Sequence, residues 1–129
     1  MSLDDQNAFQ QSFEFVLSPG TVGDGPTFTV PAAQRLVIEQ VSFASLLPPG
    51  GKAEHYIVFT TVNGVNGFYH FNPGDNRIQS TTQRVRIYAD PQTDIRLFLE
   101  YAASGGDGPA TLLTSVSGYL VDYPSITSG

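Results

Sequence analysis

The stretch HYIVFTTVNGVNGFYH, residues 55–70, decides how the rest of the chain is read. It carries two Asn-Gly dipeptides, at 63–64 and 66–67. An Asn-Gly pair between apolar runs is the strongest short signal for a β-hairpin, because a type I′ turn needs positive φ at both central residues. With Asn63-Gly64 as the turn, Val62 faces Val65 and Ile57 faces His70. His55 then shares a face with His70, one diagonal step away at about 7 Å between backbones. The run 54–62 is apolar on both faces, so it reads as a central strand covered on both sides or lying at an interface.

Outward from this hairpin, further runs bounded by Gly, Pro, Asn and Asp read as strands: Gln11–Leu17, Thr27–Val30, Arg35–Ala44, Gln83–Ala89, Asp94–Ala102 and Ala110–Asp122. With Glu54–Val62 and Gly67–Phe71 they make eight. The last is long enough to bend or split near Gly118. In RVRIYAD, Val85 and Ile87 point one way and Arg84, Arg86 and Tyr88 the other. In DIRLFLEY, Ile95, Leu97, Leu99 and Tyr101 oppose Arg96, Phe98 and Glu100. This period of two belongs to sheets with one buried face. Helix signals are confined to LDDQNAFQQSF near the N-terminus, with Asp4 or Asp5 as cap. The expected fold is therefore all-β, an antiparallel β-sandwich of jelly-roll type with about eight strands and little or no helix. The chain reads as one domain over 1–129, with residues 1–10 a flexible or peripheral segment.

The 129 residues include nine Phe and six Tyr, enough for a single core, but charged residues are only 14%. Ser, Thr, Gln and Asn must then supply the surface, a neutral hydrogen-bonding skin that suits an exported or surface-displayed protein. The net charge of −6, with Lys52 the one lysine, argues against nucleic acid, which needs a basic stripe. No apolar run reaches the length of a membrane span. The absence of cysteine removes disulfides, thiol catalysis and cysteine-ligated metals. No motif asks for a cofactor, and no nucleophile elbow, phosphate loop or singled-out carboxylate pair points to an enzyme.

Gly-Asp-Gly-Pro occurs at 23–26 and again at 106–109. A calcium loop needs several converging oxygens and each copy offers one carboxylate, so both read as turns. His55 and His70, with Asp75 from the following loop, are candidate metal ligands, although no dense ligand spacing supports them. DPQTD at 90–94 is short enough to join 83–89 and 94–101 as a hairpin, with Tyr88 facing Arg96, Arg86 facing Phe98 and Arg84 facing Glu100. Arg84, Arg86, Tyr88, Arg96 and Phe98 then form one ligand-binding face, where aromatic rings stack and guanidinium groups donate hydrogen bonds. The neutral polar surface, the abundant Tyr and Asn and the lack of a catalytic cluster read as a non-catalytic recognition module with carbohydrate as the leading ligand. The alternative is an assembly subunit forming a homo-oligomer, supported by the doubly apolar run at 57–62. A small metal-dependent enzyme on the histidine face is the third.

Overall fold

The computed structural model describes residues 7–18, 23–47, 51–71, 78–103 and 109–123. In chain order its strands are β1 (Ala8–Leu17), β2 (Gly23–Asp24), β3 (Thr27–Thr29), β4 (Gln34–Leu46), β5 (Gly51–Val62), β6 (Val65–Phe71), β7 (Ile78–Ala89), β8 (Asp94–Ala103) and β9 (Ala110–Asp122). One sheet is ordered β1-β9-β4-β7 and the other β2-β8-β5-β6, with β3 also paired to β8. Successive strands change sheet at every connection except β2–β3 and β5–β6. That wiring, with every pairing antiparallel, is a jelly roll. No helix occurs among the described residues.

The helix signal near the N-terminus is overturned from Ala8 onward. Phe9, Phe13, Phe15 and Leu17 fall at alternating positions, and β1 pairs along its whole length with β9. Their side chains pack on the core, where Phe28 stacks on Phe9 at 5.8 Å between ring centroids and meets Phe13 at 5.7 Å. Period two with aromatic residues outweighs a cap that has no apolar helical stripe behind it.

Asn63-Gly64 forms the expected turn, with φ of 53° and 76°, and the register Val62↔Val65 through Ile57↔His70 follows from it. The first Gly-Asp-Gly-Pro is not a turn. Gly23 and Asp24 pair with Glu100 and Leu99, and Thr27 resumes pairing at Arg96, so β2 and β3 are one edge strand interrupted at Gly25-Pro26. Proline has no N–H to give the ladder, and edges tolerate it. Its carbonyl still accepts from Leu97 N at 3.0 Å. A Cβ at Gly25 would sit 1.7 Å from the Leu97 carbonyl oxygen, so close backbone approach rather than positive φ demands glycine there. In the second copy, residues 106–108 lie outside the described residues.

The expected hairpin between β7 and β8 does not form, because the two strands lie in different sheets. Residues 90–93 turn a corner instead. The Asp90 carboxylate takes Arg35 of β4 at 2.8 Å and the backbone N–H of Asn63 at 2.7 Å, tying one sheet to the hairpin turn of the other. Asp90 N donates to Thr61 O, and Gln92 N to Val30 O, both at 3.0 Å.

Between the sheets, Phe43 of β4 stacks on Tyr56 of β5 at 4.8 Å. Both are fully buried, and the Tyr56 hydroxyl shares a 2.7 Å hydrogen bond with Ser45 Oγ. Burial raises the phenol pKa above the usual 10.0, and the Ser45 bond, which acts in the opposite direction, offsets part of that rise. A raised folded-state pKa gives stability that is complete below pH 10 and is lost as the pH climbs through the folded value, since the unfolded chain ionises first. Thermal melts across pH 8–11 are expected to show this decline. Tyr56→Phe should flatten it while costing about 1 kcal/mol at neutral pH for the lost hydrogen bond. An unchanged alkaline slope in the variant would assign the decline elsewhere.

Candidate functional site: the outer face of the five-stranded sheet

On the solvent face of this sheet the register sets side chains in rows across strands. Phe68, Phe59, Arg96 and Thr27 form one row; His70, Ile57 and Phe98 form the next; His55, Glu100 and Gly23 follow. These are the outward residues of strands whose inner faces carry Tyr56, Val58, Ile95, Leu97 and Leu99. The second apolar face of β5 is thus Ile57 and Phe59. Ile57 is almost wholly covered, at 8% exposure, between His70 and Phe98. Phe59 meets Phe68 edge-on at 5.2 Å and Phe98 edge-on at 5.8 Å. Phe68 is the exposed member of this trio, at 58%.

Phe98 lies over the backbone of Gly23, where an added Cβ would stand 2.6 Å from its ring. The Arg96 guanidinium sits 4.8 Å from the Phe98 ring centroid and bonds Asp24 at 2.9 Å. Both partners of that ion pair are well exposed, so it adds at most about 1 kcal/mol and mainly fixes where the guanidinium points. Beside these rings runs an open groove of about 520 Å³, lined by Phe59, Phe68, Arg96, Thr27, Thr61 and Asn66. Thr61 Oγ1 donates to Asn66 Oδ1 at 3.0 Å along its floor. The groove is aromatic on one wall and hydroxyl- and amide-bearing on the other.

The five residues expected to share a ligand-binding face are divided by the topology. Arg96 and Phe98 remain neighbours here on β8. Arg84, Arg86 and Tyr88 lie on β7, on the outer face of the four-stranded sheet, where Tyr88 pairs with Val37 and Arg84 with Gln40. Arg84 and Arg86 border a shallow depression with Glu39, and the Tyr88 ring lies 5.9 Å from the Arg35 guanidinium. The alternation of both strands is as expected, but alternation does not say which sheet a strand joins.

His55 and His70 do come together. Their rings meet edge to face with centroids 5.6 Å apart, and His55 Nδ1 lies 2.8 Å from Glu100 Oε1. Asp75 lies outside the described residues. No group of three or more His, Cys, Asp or Glu suited to a metal ion occurs among the described residues. Phe68, absent from the residues expected from the sequence, is set opposite Phe59 by the hairpin register.

No protein-family model matches the sequence, and no curated protein matches it. Solved structures of similar fold include a chain of infectious bursal disease virus, Gx strain, with TM-score 0.51 and 14% identity over 89% of this chain. The VP2 subviral particle of the same virus gives TM-score 0.51 and 15% identity over 87% of this chain. This chain spans 33% and 32% of those chains, about a third of their length. At such identity the likeness is one of fold.

Proposed function

We propose that the chain is an assembly subunit, a jelly roll that packs against further copies of itself through the aromatic outer face of the five-stranded sheet. The observation that carries this reading is the Phe59–Phe68–Phe98 cluster, which ends in a ring 58% exposed on a sheet face with no further strand layered over it among the described residues. Solvent gains nothing from three clustered phenylalanines, whereas aromatic residues are enriched in the buried centres of protein interfaces. One of the two virus chains of like fold comes from a subviral particle, which supports the same reading. The five residues expected to form one ligand surface are divided between two sheets, so that patch lends a carbohydrate ligand no support.

Light scattering coupled to size exclusion tests the proposal. The wild type is expected at a multiple of 13.9 kDa, and Phe68→Asp at the monomer mass with an unchanged circular dichroism spectrum. Phe68 is exposed, so the substitution leaves the core intact while setting a charge in the contact. A wild type that stays monomeric at high concentration overturns the reading.

A further inference from the structure

We propose that His55 and His70 form a two-imidazole site for a divalent transition-metal ion of the zinc, nickel or copper type, with Glu100 as the group that orients His55. The register brings both rings to the same outward face of the β5–β6 hairpin, and β8 delivers Glu100 beside His55. Metal–nitrogen bonds of about 2.0–2.1 Å put the centre of each ring roughly 3 Å from the ion, so two imidazoles on one tetrahedral ion have centres about 5 Å apart. The rings here stand 5.6 Å apart before any ligand has drawn them in. Small rotations of two exposed side chains close the difference.

Glu100 supplies the second, independent indication. Its carboxylate accepts from His55 Nδ1 at 2.8 Å, which fixes the tautomer with the lone pair on Nε2. A carboxylate holding the far nitrogen of a ligating histidine is the common second layer of metal sites, because it orients the ring and makes it a stronger donor. It also sets a negative charge behind the ion. On its other side Glu100 pairs in register with Gly23 of the edge strand. Two protein ligands leave the remaining positions to water, which the exposure of His55 and Glu100 permits. Nitrogen donors select zinc, nickel and copper over magnesium and calcium, which ask for oxygen. The site lies within one chain and does not depend on the assembly reading.

Isothermal titration of untagged protein with zinc, then nickel, tests the site, with calcium as the control ion. One ion per chain is expected for zinc and nickel, and none for calcium. His55→Ala and His70→Ala should each weaken zinc binding at least tenfold, and Glu100→Ala by about tenfold or more, as loss of second-layer partners does elsewhere. All three residues lie on the exposed outer face, so the variants keep the core intact, which circular dichroism checks. Absence of saturable zinc and nickel binding in the wild type overturns the proposal. So does wild-type affinity in either histidine variant, and wild-type affinity in Glu100→Ala removes the orienting role.

Discussion

Gly118→Ala is expected to destabilise the fold by about 3 kcal/mol or more, the upper range for forcing atoms into a filled interior. At Gly118 an added Cβ would lie 1.9 Å from the Val37 carbonyl oxygen and 3.1 Å from Glu39 N. Both are backbone atoms, so no side-chain rotation relieves the contact. The reason lies in β4, where the register against β9 skips Glu39, between Ile38 and Gln40. A bulge of this kind bends the strand and tightens its twist. The inward set on β4 changes from even to odd positions across it: Leu36 and Ile38, then Val41 and Phe43. Glycine on the facing strand lets the bulged backbone press in. Equilibrium urea unfolding should show the loss as a lower midpoint with an unchanged slope. Gly64→Ala is the comparison. Its φ of 76° strains an alanine, but open space surrounds it, so a loss near 1 kcal/mol is expected. A Gly118 variant no worse than the Gly64 variant would mean that the bulge relaxes freely.

The hairpin at 55–70 was fully readable because its turn is local: positive φ at Asn63 and Gly64 fixes the register, and the register fixes which side chains share a face. From that alone follow the His55–His70 pair and, opposite Phe59, Phe68. The neighbours of that hairpin were not readable. Period two in 83–89 and 94–101 tells which side chains turn inward, and it is identical whether the strands pair with each other or belong to facing sheets. The deciding feature is Asp90, whose carboxylate binds Arg35 from 55 residues away and Asn63 from 27 residues away. Such a corner is made by long-range partners, so nothing within DPQTD announces it. Gly25 shows the same limit. Its sequence context reads as a turn, yet glycine is needed there because the Leu97 carbonyl approaches from another strand.

Phe43→Ala is the second large effect, with an expected loss of about 3–5 kcal/mol and a fall in melting temperature of roughly 10–20 °C. Phe43 is fully buried, lies parallel to Tyr56 within 2° and meets Phe71 at 5.8 Å. It belongs to the four-stranded sheet, and both ring partners belong to the other, so this one side chain joins the two layers. Truncation leaves a cavity that the stacked Tyr56 cannot fill while its hydroxyl stays bonded to Ser45. Phe68→Ala provides the contrast, because an exposed ring leaves no cavity and its loss should change monomer stability by less than about 1 kcal/mol. The two phenylalanines therefore separate the two roles assigned to aromatic residues in this chain. Measured together by denaturation and light scattering, Phe43→Ala should lower stability, and Phe68→Ala should weaken association with stability nearly intact. Equal stability losses at the two sites would place Phe68 in a core and leave the outer face without its argument for a second copy.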